Sequence, residues 1–333
     1  MAYIYKKTVD GKPYYYLRIS KRENGKQIVK DVAYLGTDPA EAGKKLQELQ
    51  HHEDVRKGYK NISKFLKTHH YLKKVRAKKL KHDAYLHIDI HEQIEAAKLH
   101  YNEHLLSLDE KTKKEVYEHF LIDFAFNTTS LEGNTITLEE AQKLLQDDIL
   151  PKNKTLREVD DLQNTQKVFF DILNKKPKIT EGLISSVHDE LLDRIDLRKG
   201  YRVHDIRVFK SSFDASPVQY IRHDVQFLLK WYKEHEKQLH PLVLAAIFHH
   251  KLEKIHPFAD GNGRTGRMLM NAILLHAKYP PFIIPERKRS IYLAALRKAD
   301  KTALNEASQE AYNDLILFVA EEFLSSYWNN FNV

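Results

Sequence analysis

The sequence predicts a mainly α protein that opens with a small antiparallel β-meander, and three observations carry that reading. Two hairpin dipeptides, Asp10-Gly11 and Asn24-Gly25, separate segments rich in Tyr, Ile and Val over the first 36 residues. From about residue 106 onward, apolar residues recur at three- and four-residue spacing, the period of a helix with one buried face. Two capping boxes, Thr137 with Glu140 and Thr155 with Glu158, mark helix starts, and their carboxylates suit the helix dipole.

Taken in order, the meander places Tyr14, Tyr15 and Tyr16 on its middle strand. Asp38 is a good N-cap and Pro39 suits a first helical position, so a helix is expected from Asp38 to about Val55. Residues 56–82 hold 11 Lys/Arg and no acidic residue. Such a run is either a solvated basic helix or linker, or a surface for an anionic partner such as nucleic acid. The lysines interleaved with Tyr59, Phe65 and Tyr71 favour the second reading. Further helices fit residues 180–195, 218–235, 241–254, 262–277, 290–301 and 305–327. Residues 200–217 break the pattern, because Val203, Ile206 and Val208 alternate with polar residues, and they are expected to form a short β-hairpin. The chain thus divides into residues 1–54 (meander plus helix), 55–105 (basic helical segment or linker) and 106–333 (helical domain).

Composition narrows the chemistry. A chain of 333 residues with no cysteine has no disulfide framework, thiolate metal site or cysteine nucleophile. There is no run of about 18 apolar residues and no apolar stretch near the N-terminus, so the expectation is a cytoplasmic protein without a membrane partner. The net charge of +8 is divided unequally: residues 1–82 carry 21 Lys/Arg against 8 Asp/Glu, while the remainder carries 33 against 38. The two parts therefore have different electrostatic roles.

One segment concentrates reactive side chains. From Ile255 the chain reads His256-Pro-Phe258-Ala-Asp260-Gly261-Asn262-Gly263-Arg264-Thr-Gly-Arg267 and then becomes an apolar helix. Gly261 and Gly263 allow a tight turn and close approach of a ligand, and the unpaired N–H groups of the following helix form an anion cradle, for which phosphate is the obvious guest. Arg264 and Arg267 are three apart on one helix face, so both guanidiniums can grip phosphates. Asp260 is a hard oxygen ligand for a magnesium ion bridging phosphates, and His256 is the nearby group with a base-like pKa. Gly261, Gly263 and Gly266 also satisfy a dinucleotide-binding spacing, with Glu286 about 20 residues on, but that fingerprint needs a preceding strand and residues 242–255 have helical periodicity. A Walker loop is excluded because no Gly-Lys-Ser/Thr follows. A plain helix cap with surface arginines is the remaining alternative.

His256, Phe258, Asp260, Gly261, Asn262, Gly263, Arg264 and Arg267 fill every fixed position of the signature H-x-F-x-(D/E)-G-N-G-R-x-x-R, and in this the chain resembles the Fic (Fic/Doc) family. The resemblance spans roughly residues 106–305 and leaves residues 1–82 unaccounted for. It implies an all-α catalytic domain with a β-hairpin flap and a protein adenylyltransferase that moves AMP from ATP to a Ser, Thr or Tyr hydroxyl. Carried over by motif position, His256 would be the general base and Asp260 the magnesium ligand. Gly261, Asn262 and Gly263 would stabilise charge on the transferred group. Arg264 would hold the leaving pyrophosphate and Arg267 the γ-phosphate. Phe258 would anchor the loop in the core. Tyr292 resembles a position lining the nucleotide base, with an ordinary packed tyrosine as the alternative. A target segment would add as a strand to the hairpin at 203–216.

Upstream, residues 128–134 read Thr-Thr-Ser-Leu-Glu-Gly-Asn. Taken alone this is a helix end with Gly133 after it and Glu132 as surface decoration. The family resemblance implies an inhibitory motif, with Thr128 and Glu132 as regulatory residues. Glu132 paired with Arg267 would remove the grip on the γ-phosphate, and the same glutamate could also position a water for removing AMP. A different class of function stays open: a DNA-binding regulator using residues 1–82, whose Fic-like domain only senses nucleotide. The oligomeric state, a homo-oligomer included, is left open by the sequence. His69-His70 and His249-His250 lack a metal-ligand context and read as surface or packing residues.

Overall fold

The computed structural model describes residues 2–49, 53–206 and 213–332. Contacts divide the chain into two compact units, one of Met1–His82 with Ile88–His100 and residues 332–333, the other of Asp83–His87 with Tyr101–Phe331.

In the first unit, β1 (Ala2–Val9), β2 (Lys12–Glu23) and β3 (Lys26–Gly36) form an antiparallel sheet in that order. Both connections are the expected two-residue turns. Asp10 and Gly11 have φ of 49° and 75°, and Asn24 and Gly25 have 51° and 78°, the left-handed pairs that match strand twist. This fixes the register at Val9 opposite Lys12 and Glu23 opposite Lys26. Alternation then sends Ile4, Tyr15, Leu17 and Ile19 to one face, where Leu46 of α1 (Pro39–Glu48) and Val55, Ile62 and Leu66 of α2 (Glu53–Arg76) cover them. The helix expected over 38–55 is therefore two: α1 ends at the C-cap Leu49, and α2 starts at Glu53. The basic segment placed at 55–105 is not a separate linker. Its first part is α2, which belongs to the sheet's core because its charged residues leave an apolar stripe at 55, 62 and 66. From α3 (Ile88–Glu103), Glu92 accepts a 2.7 Å hydrogen bond from Arg76, and residues 88–100 of that helix belong to the same unit.

The second unit is helical. It holds α4 (Glu110–Ser130), α5 (Leu138–Asp147), α6 (Leu156–Lys175), α7 (Glu181–Leu191), α8 (Ile221–His235), α9 (Pro241–Ile255), α10 (Asn262–His276), α11 (Arg289–Ala299) and α12 (Gln309–Asn330). Both capping boxes form, with Thr137 and Glu140 starting α5 and Thr155 and Glu158 starting α6. Nearly every residue of α9 from Leu242 to Leu252 is buried, so α9 is the central helix on which the others pack. Phe120 and Phe124 of α4 meet Phe169 of α6 at 5.7 and 4.2 Å between ring centres, joining the helix that Glu132 follows to the helix that carries Asp161.

Candidate active site

The segment from His256 to Arg267 joins α9 to α10. His256 is the C-cap of α9 in the left-handed conformation (φ 51°), and its N–H still donates to Leu252 O at 2.9 Å. Phe258 is fully buried, stacked 3.7 Å from His188. This is the core anchor expected of it. Asn262 clamps the loop: Phe258 N donates to its Oδ1 at 3.0 Å, and its Nδ2 donates to Phe258 O at 2.9 Å. The Asn262 side chain is therefore spent on holding the turn, and only backbone N–H groups face outward at the start of α10.

The two glycines serve different needs. Gly261 has φ 77° and caps α10, a conformation that disfavours a side chain. Gly263 is helical, and there space decides: a Cβ would lie 2.3 Å from Glu132 Oε1 and 3.0 Å from Arg267 Nη1.

A cavity of about 300 Å³ opens over this turn, lined by Glu132, His256, Asp260 to Gly263, Arg267 and Tyr292 among others. That volume lies at the lower bound for small-ligand sites. Glu132, just past the end of α4, accepts a 2.7 Å hydrogen bond from Arg267 Nη2. Arg267 also donates through Nε to Thr128 Oγ1 at 2.7 Å and through Nη2 to Thr128 O at 2.9 Å. The two upstream residues singled out in the sequence thus meet the last arginine of the motif.

The other charged members are also engaged. Asp260 Oδ1 accepts from Gly261 N at 2.6 Å and from Arg264 at 3.3 Å, and its Oδ2 accepts from Arg157 at 2.6 Å. Burial raises the pKa of Asp260, but Arg264, the Gly261 N–H and Arg157 together outweigh it and hold the carboxyl below its usual range. Arg264 differs from the expectation of a second exposed grip. Its guanidinium is buried against Asp161 of α6 and is not among the residues lining the cavity. Three residues apart on α10 put Arg264 and Arg267 on neighbouring rows, and Asp161 turns the first toward the core. Tyr292 is buried, hydrogen-bonded to His249 Nε2 and stacked 5.7 Å from Phe318, so it lines the cavity as a packed tyrosine.

His256 is half-buried, and burial pulls its pKa below 6.5 despite a hydrogen bond to Glu253 O at 3.2 Å. With the proton on Nδ1 for that bond, Nε2 is a free base at neutral pH. Arg202 ties the expected flap to this loop. Its backbone N donates to Pro257 O, and its guanidinium donates to the carbonyls of His256, His204 and Ser216. The described stems, 201–206 and 213–217, form no strand, and the centre of the expected hairpin lies outside the described residues.

Arg202 and Asp161 carried no sequence signal, because both act on residues far away in the chain. Two more participants were missed on α9. Glu253 lines the cavity with Oε1 sealed from solvent and without a partner among the described residues; burial, then Glu132, push its pKa up to about 8. His250, read as packing, is buried but lines the cavity with Asp300, to which its Nε2 donates at 3.0 Å. Glu253 lies three residues back from His256 and His250 three back from Glu253, so each is one helical turn from the next, and that spacing is the signal in the sequence.

Comparison with known proteins agrees with this geometry. Residues 178–274 match the profile of the Fic/DOC family. Over these residues the chain is similar to the Fic/DOC family. Protein adenylyltransferases named Fic from Drosophila ananassae and Drosophila melanogaster are 32% identical over 195 residues, covering 57% of this chain but 38% and 39% of those proteins. The chain thus spans about two fifths of the length of the curated relatives it matches. A Fic-domain signalling protein from Bacteroides thetaiotaomicron superposes with a TM-score of 0.63 at 25% identity, covering 69% of this chain and 93% of that one. Fic-1 from C. elegans shares the fold, with a TM-score of 0.60 at 21% identity over 90% of this chain and 88% of that one. Among the described residues no helix is long and apolar enough to cross a membrane.

Proposed function

We propose that this protein transfers AMP from ATP to a Ser, Thr or Tyr hydroxyl of a target protein, and that Glu132 holds the transfer rate low. The observation that carries the reading is the meeting, in one cavity, of a neutral His256, the N-terminus of α10 and an Arg267 already occupied by Glu132. The name borne by the Drosophila relatives supports the chemistry.

In this mechanism the triphosphate lies on the N–H groups opening α10, where helix dipole and unpaired donors favour negative charge. His256 Nε2 takes the proton of the target hydroxyl as its oxygen bonds to the α-phosphorus and the bond to pyrophosphate breaks. The backbone amides of Asn262 and Gly263, which open α10, stabilise the charge that grows on the transferred group. Arg264, fixed by Asp161, adds positive potential beside the departing pyrophosphate. Asp260 fits a magnesium ion: its carboxyl stays ionised, and the Arg157 on its Oδ2 is 61% exposed and free to swing away. Bound there, magnesium would neutralise phosphate charge. Arg267 is needed for the γ-phosphate, and its bonds to Glu132 and Thr128 compete with that role. An extended target segment would align along residues 203–216, whose stems Arg202 pins to the catalytic loop.

Incubation of the full chain with labelled ATP and magnesium tests this. Glu132→Gly is expected to raise self-labelling about tenfold, the scale of a modest regulatory coupling. Adding His256→Ala should remove about 10²- to 10⁴-fold of that. A Glu132→Gly protein that incorporates no label sinks the transferase reading.

A further inference from the structure

The three strands of the N-terminal unit have two faces of opposite character. The inner face is buried by α1 and α2 and accounts for folding. The outer face carries Tyr3, Tyr5, Tyr14, Tyr16 and Tyr34, brought into rows by the register: Tyr5 stands opposite Tyr16, and Tyr16 opposite Tyr34. Ring centres are 5.3 Å apart for Tyr16 and Tyr34 and 6.4 Å for Tyr14 and Tyr34, so the rings form one surface. No core requires them there, and Tyr34 is 48% exposed. A contiguous aromatic patch of this kind marks a binding surface.

The charge around the rings specifies the partner. Lys7, Lys12, Arg18 and Arg22 lie on the same outer face, as register and alternation require. The acidic residue among these outer positions, Asp31, is matched by Arg18 at 2.5 Å. The Arg18 guanidinium rests 3.4 Å over the Tyr5 ring and the Lys45 ammonium 5.5 Å over Tyr34, so cations sit beside the π faces. Residues 1–82 as a whole carry 21 Lys/Arg against 8 Asp/Glu, an excess that attracts polyanions.

We propose that the outer face of this sheet binds single-stranded nucleic acid, with bases stacked on the tyrosines and phosphates held by the surrounding lysines and arginines. Basic residues alone would fit any polyanion. The broad tyrosine surface adds a requirement for flat, apolar partners, and unpaired bases meet it. In a duplex the base faces are already stacked on one another, which would leave the tyrosines unused. No residue of this surface belongs to the His256 cavity, so the inference stands apart from the transfer reaction.

Fluorescence anisotropy of the full chain with a labelled, mixed-sequence single-stranded DNA of roughly 15 nucleotides tests the surface. Binding is expected to weaken as salt rises, and to be tighter than to the duplex of the same sequence. Tyr34→Ala should weaken it about tenfold, whereas Tyr34→Phe keeps the ring and the affinity. Lys7→Glu with Arg22→Glu, both at exposed strand positions, provides a second variant and should lower affinity and flatten the salt dependence. Absence of binding at low salt, tighter binding of the duplex, or unchanged affinity in both Tyr34→Ala and the charge variant would overturn the proposal.

Discussion

Gly263 and Glu132 belong to one local arrangement, because the 2.3 Å that a Cβ at 263 would leave to Glu132 Oε1 is too short for any contact. A glycine at this motif position thus leaves the room that the Glu132 carboxylate occupies. Glu253 sits nearby under different constraints. Its carboxyl keeps a proton up to about pH 8 in the folded chain, against 4.5 for a solvated glutamate. Unfolded chain has lost that proton throughout this interval, so the folded state binds more protons and stability falls as pH rises from about 4.5 to 8. Glu253→Gln, which keeps shape and cannot ionise, should flatten that part of the profile and raise stability by a few kcal/mol at most near pH 8. Urea unfolding of both proteins at pH 5 and pH 8 measures it. An equal pH slope in the two proteins would assign the dependence to other groups.

Between elements, Arg202 reaches several parts of the chain around the loop at 256–267. It is buried and donates to the carbonyls of His256, His204 and Ser216, so one side chain holds both stems of the expected flap against the end of α9. Three carbonyls lose a charged donor in Arg202→Ala, which should cost about 2–4 kcal/mol of stability and open the stems at 203–206 and 213–216 to protease. Thermal melting and limited proteolysis check the two halves of that expectation; unchanged cleavage in this segment would show the stems are held by other contacts. The helices around this site were largely legible in the sequence, since caps such as Thr137/Glu140 and Thr180 are local signals that the structure uses as written. The motif from His256 to Arg267 was legible for the same reason. What the sequence left hidden are contacts across long separations. Arg264 turns inward only because Asp161, 103 residues earlier, stands beside it, and Arg202 reaches His256 across 54. The split of the expected 38–55 helix into α1 and α2 was hidden differently, because the helical period continues past Leu49 with no glycine or proline to mark the break.

Across the whole molecule, charge and core divide along the same line: the unit containing the sheet takes most of the positive excess, and the helical unit takes the reactive cavity. Only the second of these roles could be read from a motif, since aromatic and basic residues become a surface only once strand register places them side by side. The bond between Glu132 and Arg267 spans 135 residues, and its glutamate follows the C-terminal end of α4 while its arginine is buried in α10. Helix ends open at lower free energy than the core that holds them. Gentle warming should therefore free Arg267 while the cavity is still intact, and self-labelling of the unmodified chain should climb more steeply with temperature than that of Glu132→Gly, up to the melting point. Parallel temperature curves for the two proteins would rule this out. On the transfer reading proposed above, a contact closed by such distant parts of the chain works as a thermometer for the fold: transfer is slowest when every helix is in place and rises first when the structure begins to loosen.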